Sequence, residues 1–138
     1  MADGERVSVR VGADLVEIDE VADAVSAHGS RYLGRVYTDR EVAACRRRGT
    51  IDPRLLAMQF AAKEAVVKLL RPDREPIPWR SIEMLADADT GQPKVVLSGA
   101  ADALARAEGV SGLSISVSRQ GEIATAIAIA QVAFGAQA

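Results

Sequence analysis

Apolar and polar residues alternate at the start of the chain, where the segment 7–11 reads Val-Ser-Val-Arg-Val. A period of two predicts a β-strand, because successive side chains of a strand point to opposite faces. The strand runs into Gly12-Ala13-Asp14. Beyond it, a helix is predicted over about 19–28, and Gly29 provides its stop signal.

Two further helices are predicted from the signals at their N-termini. The segment Thr38-Asp39-Arg40-Glu41 has the form of a capping box, which predicts a short helix through about Arg47. The dipeptide Asp52-Pro53 fits an N-cap followed by a first-turn proline, and it opens a longer helix that extends to about Leu70. The apolar residues of this helix recur at spacings of three and four and form one stripe: Leu55, Met58, Ala62, Ala65 and Leu69.

The second half of the chain returns to strand-like patterns. Strands are predicted at 82–86, 94–98, 113–118 and 123–131, and a helix is predicted at 99–108. The first two strands and the last two are each joined by a connection of hairpin length. Helices and hairpins are mixed without strict β-α-β alternation, so the predicted class is α+β, in a single domain spanning 1–138.

Charge and composition narrow the range of functions. The formal net charge is −2 and the pI is near 5.4, which does not fit a nucleic-acid-binding protein. Arg46-Arg47-Arg48 is interpreted either as a solvated helix end or as a contact for a phosphate or an acidic partner. No signal-peptide pattern opens the chain, and the longest apolar stretch, 123–130, is far shorter than the ~20 residues of a membrane span. We therefore expect a cytoplasmic protein without a membrane segment.

Glu64 and Lys68 are the first candidates for chemistry. They lie four residues apart in the long helix, which places them on one side, one turn from each other. Taken alone, such a pair is usually an exposed ion pair worth about 0.3 kcal/mol. Alanines flank Glu64, however, which indicates close packing around the carboxylate and favours a site that is not fully open to solvent.

Asp14 is a second candidate carboxylate, because it follows the first strand among hydrophobic residues. An aspartate at this position is either a turn or cap residue or one half of a site for a hard cation. Magnesium binds few carboxylates together with water and substrate phosphates, so two carboxylates are enough where a diphosphate supplies further oxygens.

These motifs together resemble the holo-[acyl-carrier-protein] synthases of the 4'-phosphopantetheinyl transferase superfamily. Members open with Gly-x-Asp-x-x-x-Ile, as in 12–18, and carry a helix of the form Phe-Ala-x-Lys-Glu-Ala-x-x-Lys, as in 60–68. They continue with an aromatic residue before an Ile-Glu strand, as in 79–83, and with Gly-x-Pro, as in Gly91-Gln92-Pro93. The resemblance extends over about 7–131 and implies a long central helix packed on an antiparallel sheet.

The resemblance also implies an activity. Such an enzyme transfers 4'-phosphopantetheine from coenzyme A to a serine of an apo acyl carrier protein and releases 3',5'-ADP, with Mg²⁺ as cofactor. Asp14 and Glu64 would hold the Mg²⁺. Glu64, or a water that it holds, would accept the proton of the serine hydroxyl, and Lys68 would stabilise the charge that develops on the departing 3',5'-ADP. Family members of this length form homotrimers with each site between neighbouring subunits.

Further residues are assigned to coenzyme A binding through the same resemblance. Lys63 is interpreted either as a phosphate contact or as a salt-bridge partner, and Lys68 would lie beside the diphosphate. The other coenzyme A contacts that the resemblance implies are Arg71, Gln92, Pro93 and Arg119.

The chain departs from its relatives at three positions. Gln59 occupies a position where many members have an arginine, Arg71 one where members usually have a glycine, and Arg119 one where many have a histidine. An arginine binds phosphate well but does not take part in proton transfer. The departures leave a non-catalytic relative that binds coenzyme A or a carrier protein as an alternative. An unrelated α+β domain with a chance match is the third hypothesis.

Overall fold

A long helix packed against an antiparallel sheet forms the centre of the fold in the computed structural model, which describes residues 7–133. The helices within these residues are α1 (Ile18–His28), α2 (Ser30–Val36), α3 (Asp39–Ala44), α4 (Pro53–Leu70) and α5 (Gly99–Ala107). The strands are β1 (Val7–Glu17), β2 (Arg46–Arg47), β3 (Thr50–Ile51), β4 (Ile82–Ala86), β5 (Pro93–Leu97), β6 (Val110–Gln120) and β7 (Ile123–Ala133). The mixture of helices and antiparallel strands confirms the predicted α+β class.

The main sheet has the strand order β1-β7-β6, with antiparallel pairing throughout. In its register, Gly12 lies opposite Ala128 and Asp14 lies opposite Ala126. Because side chains alternate between faces, Gly12, Asp14 and these alanines belong to the face that packs on α4. The sheet therefore presents Asp14 to the central helix.

Small residues allow the sheet and α4 to approach closely. The face of β7 that packs on the helix carries only alanines over four alternate positions, all buried: Ala124, Ala126, Ala128 and Ala130. An ideal Cβ added to Gly12 would overlap the carbonyl oxygen of Ala65 and lie 2.8 Å from the backbone nitrogen of Leu69. No residue other than glycine fits at position 12 while β1 keeps this distance from the helix.

The outer face of the same sheet is apolar and exposed. Its exposed large side chains are Val9, Val11 and Leu15 of β1 together with Ile127 and Ile129 of β7. Leu15 is 70% exposed and Ile127 is 53% exposed, so residues 7–133 leave these side chains largely uncovered. A contiguous apolar face of this kind is typical of a surface that binds another protein chain.

The structure differs from the prediction around two of the helices. The helix predicted through Arg47 ends at Ala44, because Arg46 and Arg47 instead pair with Ile51 and Thr50 in a small hairpin. Its two-residue loop, Arg48-Gly49, has positive φ at both residues, 54° and 78°, as a tight hairpin turn requires. Helix α2 was not predicted; its seven residues begin directly after Gly29, which ends α1 with a φ of 52°.

Among residues 7–133, no helix combines the length and the apolar character needed to cross a bilayer.

Candidate functional site

The close contact at Gly12 brings Asp14 to the side of α4. Asp14 lies two residues beyond Gly12 on the same face of β1, and its Oδ1 accepts a hydrogen bond from Lys68 Nζ at 2.7 Å. Lys68 Nζ also donates to the backbone oxygen of Ala13 at 3.2 Å. The hydrogen bond with Asp14 raises the pKa of Lys68, so the ammonium form is favoured. An aspartate from the sheet and a lysine from the helix thus form one polar cluster.

Glu64 belongs to the same cluster. It lies one turn before Lys68 on α4 and is half-buried. Burial raises the pKa of the Glu64 carboxyl, the negative charge of Asp14 raises it further, and Lys68 opposes this shift. Because the negative charge of Asp14 acts on Glu64, and Lys68 bonds to Asp14 one turn from Glu64, the two carboxylates belong to one region of the molecule. We therefore find the three residues in one place: Asp14, Glu64 and Lys68.

A surface groove of about 590 Å³ adjoins this cluster. Asp14 and Lys68 line its polar side, and Leu15, Thr125 and Ile127 line the remainder. The groove is thus able to hold a ligand with an anionic part near the lysine and an apolar part along the sheet.

The donor set of the cluster fits a hard divalent cation such as Mg²⁺. The cluster contains two carboxylates, and an ammonium group already neutralises that of Asp14 at 2.7 Å. Among residues 7–133, no group of three or more His, Cys, Asp or Glu side chains is arranged to hold a metal ion. Two protein ligands would leave most positions around Mg²⁺ to water or substrate oxygens, which is the coordination that Mg²⁺ prefers.

Lys63 is placed differently from a cofactor-binding residue. Its side chain is fully buried and forms an ion pair with Glu41, with 2.7 Å between Nζ and Oε1. Nζ also donates to the backbone oxygens of Trp79 and Ile82. These three acceptors use all three N–H groups of the ammonium, so none is left for a phosphate. Of the two roles predicted for Lys63, the structure supports the salt-bridge partner and corrects the assignment as a coenzyme A contact.

Arg71 lies at the end of α4 near the cluster. It is the C-cap residue, in the left-handed conformation with φ 55° and ψ 63°, and its side chain is exposed. This conformation explains why glycine suits the position in similar sequences, because a side chain there costs about 1–2 kcal/mol. The guanidinium starts from the turn that follows Lys68 and is open to solvent.

Gln92 and Pro93 lie on a different part of the surface, at the turn between β4 and β5. Pro93 lines an apolar concavity of about 410 Å³ whose wall includes Met58 and Gln59 of α4. Gln59 is buried, and its Oε1 has no hydrogen-bond partner among the described residues. Asp14 and Glu64 do not line this concavity. Within one chain, the structure therefore does not join Gln92 and Pro93 to the carboxylate cluster.

Arg119 is also separate from the cluster within one chain. It lies close enough to Asp52, the N-cap of α4, to help lower the pKa of that carboxyl, after the larger effect of hydrogen bonds from Arg54. Asp52 precedes Glu64 by more than three helical turns, a distance of ~18 Å along the axis. The sequence-predicted residues thus form four groups on one chain: Asp14, Glu64 and Lys68 with Arg71 at the end of the same helix, the buried Lys63, Gln92 with Pro93, and Arg119.

Sequence reasoning missed the buried partner of Lys63. Glu41 was recognised as part of a capping box, and the structure confirms that box, with Glu41 N donating to Thr38 Oγ1 and Thr38 N donating to Glu41 Oε1. The second role of Glu41 depends on how α3 packs against α4, and no local pattern reports that packing. The complete burial of a glutamate in a capping box was the feature that could not be predicted.

Comparison with known proteins shows which family has this sequence and fold. The sequence model described as the 4'-phosphopantetheinyl transferase superfamily matches residues 10–128. The holo-[acyl-carrier-protein] synthase of Halothermothrix orenii is 34% identical over 121 residues, covering 88% of this chain and 95% of the relative. That of Chlamydia trachomatis serovar D is 38% identical over 122 residues, covering 88% and 98%.

Solved structures agree with the sequence relatives. The ACPS-CoA complex of Chronobacterium ammoniagenes superposes with a TM-score of 0.77 at 31% identity, covering 89% of this chain and 96% of the other. The holo-[acyl-carrier-protein] synthase of Neisseria meningitidis gives a TM-score of 0.76 at 26% identity, covering 88% and 96%. These similarities confirm the predicted fold, a long helix packed on an antiparallel sheet.

Proposed function

The chain belongs to the 4'-phosphopantetheinyl transferase superfamily and is an enzyme of the holo-[acyl-carrier-protein] synthase type, and we propose that it transfers 4'-phosphopantetheine from coenzyme A to a serine of an apo acyl carrier protein. The reaction depends on Mg²⁺ and releases 3',5'-ADP. The observation that carries this proposal is the convergence of Asp14, Glu64 and Lys68 beside one groove.

Each residue of the cluster has a defined part in this proposal. Asp14 and Glu64 hold Mg²⁺, which supplies charge neutralisation for the diphosphate of coenzyme A. The Glu64 carboxylate, or a water that it holds, accepts the proton that the carrier serine loses as it attacks phosphorus. Lys68 leaves Asp14 for the diphosphate and stabilises the negative charge on the departing 3',5'-ADP.

The remaining assigned residues bind coenzyme A around this centre. In this proposal Arg71, three residues after Lys68 at the end of α4, contacts a phosphate of coenzyme A. Gln92, Pro93 and Arg119 lie elsewhere on the same chain, so they reach a coenzyme A molecule at the cluster only if another subunit contributes them. The proposal therefore includes an assembly.

The assembly we propose is a homotrimer with each site between neighbouring subunits. Its support is the exposed apolar face of the main sheet, which includes Leu15 and Ile127, two residues that also line the groove beside Asp14. Covering this face with a second copy would remove the apolar side chains from water and enclose the groove. The same contact would bring residues of the neighbouring chain to the catalytic cluster.

Mass spectrometry of carrier proteins tests the activity. The protein is incubated with coenzyme A, Mg²⁺ and a panel of apo carrier proteins, and each carrier is weighed. We expect the gain of one phosphopantetheine by at least one carrier, lost in Glu64→Ala and in Asp14→Ala and on chelation of Mg²⁺. Binding of coenzyme A without transfer to any carrier would instead support a non-catalytic binding module, and absence of both would reject the proposal.

A further inference from the structure

The buried ion pair between Lys63 and Glu41 lies directly behind the candidate active site. Both side chains are fully buried, and their charged atoms are 2.7 Å apart. Lys63 immediately precedes Glu64 in α4, so a fully buried residue and a residue of the candidate site are neighbours on one helical turn.

Every polar atom of this pair has a fixed partner. Lys63 Nζ donates to Glu41 Oε1 and to the backbone oxygens of Trp79 and Ile82. Glu41 Oε1 also accepts the backbone N–H of Thr38, and Oε2 accepts the backbone N–H of Met84, both at 2.9 Å. The pair thus connects α4 with the start of α3, with β4 and with the 3-10 turn before β4.

Stability alone gives little reason for this arrangement. Burying two charges carries a desolvation cost that their attraction often only offsets, and an apolar pair of similar volume is commonly as stable or more stable. What directional bonds provide, and apolar packing does not, is a single orientation of the groups that make them. Three bonds from one ammonium permit α4 neither to rotate about its axis nor to slide along it at Lys63.

The opposite side of α4 is fixed as well. The Gly12 contact sets the distance between β1 and the helix at Ala65 and Leu69. This contact limits approach, but a smooth surface of glycine and alanine does not determine helix rotation. Rotation matters here because consecutive helical residues differ by about 100° in direction. A small rotation at Lys63 would move the Glu64 carboxylate away from Asp14.

We propose that Lys63 and Glu41 form a positioning pair for Glu64. They hold the central helix so that the Glu64 carboxylate faces Asp14. Neither residue contacts the substrate or the metal. The role rests on the proposed function, because its purpose is to place the Mg²⁺ ligand and base of the transfer reaction.

Steady-state kinetics of paired variants test this role. Lys63→Met and Glu41→Gln each remove one charge, and the double variant removes both. We expect kcat to fall on the order of 10- to 100-fold in each single variant, as for a misplaced catalytic group. We expect KM for coenzyme A to change little, and the Mg²⁺ concentration for half-maximal rate to rise. Because the two residues act as one unit, the double variant should lose no more kcat than the worse single variant.

Two further variants separate positioning from stability. Tyr37→Phe removes the buried hydroxyl that donates to the Leu56 oxygen at 3.2 Å, two turns before Glu64. It should lower the thermal midpoint without changing kcat per folded molecule. Thr38→Val removes the hydroxyl that accepts from Glu41 N and donates to Glu83, at the outer end of the network. This milder change should fold even if Lys63→Met does not, and it should lower kcat in the same direction by a smaller factor.

The outcomes distinguish this proposal from the proposed function. If the wild-type protein transfers phosphopantetheine but Lys63→Met, Glu41→Gln and Thr38→Val keep its kcat per folded molecule, the positioning role is wrong and the function stands. The role is also wrong if Tyr37→Phe loses kcat to the same extent. If the wild-type protein transfers nothing to any carrier, the function is rejected and the positioning role with it.

Discussion

Lys68 Nζ and Asp14 Oδ1 lie 2.7 Å apart, although the two residues are separated by 54 positions in the sequence. The pair joins the edge strand of the sheet to the central helix at the groove, and Glu64 lies one turn before Lys68 on that helix. Its side chains are 53% and 16% exposed, so the ammonium is accessible to a ligand while the aspartate is largely enclosed. An anionic ligand can therefore draw the lysine away from Asp14 and leave that carboxylate for a cation.

Replacing Lys68 tests whether its ammonium group stabilises the transition state. We expect Lys68→Met to lower kcat by on the order of 10²- to 10³-fold, the usual effect of removing one group that stabilises developing charge. The thermal midpoint should hardly change, because the side chain is exposed. Lys94→Met, an exposed lysine on β5, is the control and should retain full activity. A loss confined to KM would indicate that Lys68 binds coenzyme A equally well before and during the reaction.

The raised pKa of Glu64 predicts a pH-dependent stability difference. Burial, and then the charge of Asp14, disfavour the ionised form in the folded protein. The stability that Glu64 contributes is thus fully present below its unfolded pKa and is lost as the pH rises through the higher folded pKa. In metal-free protein, Glu64→Gln should raise the thermal midpoint at neutral pH and have no such effect in acid, where both side chains are neutral.

Thermal denaturation with a chelator present, between about pH 4 and pH 8, measures this difference across the titration range of a glutamate. Glu64→Gln should raise the thermal midpoint only on the alkaline side of this range. In separate assays with Mg²⁺, the same variant should lack transfer activity at every pH. A gain of equal size at all pH values would mean that packing, and not charge, causes it. That result would remove the argument that the two carboxylates face one another in the absence of metal.

The parts of this fold that local sequence signals encode could be predicted closely. Helix α4 begins at Pro53 and ends at Leu70 as predicted, because Asp52-Pro53 and the following proline act over a few residues. The hairpin at Arg46 could not be predicted. Its pairing with Ile51 depends on a tight turn at Arg48-Gly49, and arginine is not a residue that usually marks such a turn. A run of arginines fits a helix and a hairpin equally well as long as the strand that pairs with it is unknown.

The candidate site divides in the same way. The spacing of Glu64 and Lys68 is a property of one helix, so the sequence alone places them together. The approach of Asp14 depends on packing between strand and helix, and only the resemblance to a family indicated it. The burial of Lys63 required its partner in α3, so two roles remained open until the structure was known.

The left-handed conformation of Arg71 predicts opposite effects on stability and binding. Arg71→Gly removes a strain of about 1–2 kcal/mol but adds about 0.5–1 kcal/mol of chain entropy to the unfolded state. The free energy of unfolding should therefore rise by up to ~1.5 kcal/mol. Arg71→Ala keeps a Cβ in the same backbone conformation, so it should gain nothing.

Both Arg71 variants lose the guanidinium, and both should show the same increase in KM for coenzyme A if Arg71 contacts a phosphate. Chemical denaturation and steady-state kinetics on the two proteins separate strain from charge. Equal stability of the glycine and alanine variants would contradict the strain argument, whereas an unchanged KM in both would leave Arg71 outside the coenzyme A site.

The exposed apolar face predicts an assembly that one charge disrupts. Ile127→Asp places a carboxylate in the centre of the proposed contact, and we expect sedimentation to show dissociation of the trimer to folded monomers. Val96→Asp is the matched control, because Val96 is 52% exposed on the separate β4–β5 hairpin and Ile127 is 53% exposed on the main sheet. The control should remain assembled.

Activity of the same two variants shows whether the site needs a neighbour. If Arg119, Gln92 and Pro93 reach the cluster from another subunit, Ile127→Asp should lose transfer activity as it dissociates, and activity should return in part at high protein concentration. A fully active monomer would show that one chain contains the complete site. A monomeric wild-type protein would reject the trimer directly.

The contact between Gly12 and α4 predicts that a single methyl group disconnects the site. In Gly12→Ala, the new Cβ would overlap the Ala65 carbonyl oxygen. Side-chain rotation cannot relieve this overlap, because the backbone fixes the positions of both atoms. We expect a loss of roughly 3 kcal/mol or more in the free energy of unfolding, in the range of severe core overpacking. Folded molecules should hold β1 farther from the helix, which moves Asp14 from Glu64 and weakens Mg²⁺-dependent transfer beyond the loss of stability.

Gly34→Ala is the control, because nothing lies within 4 Å of its added Cβ and alanine is the better helix former in α2. Unfolding by denaturant and transfer rates for both variants decide the matter, and a Gly12→Ala protein with normal stability and activity would show that the sheet and helix need not be this close for Asp14 to reach its partners.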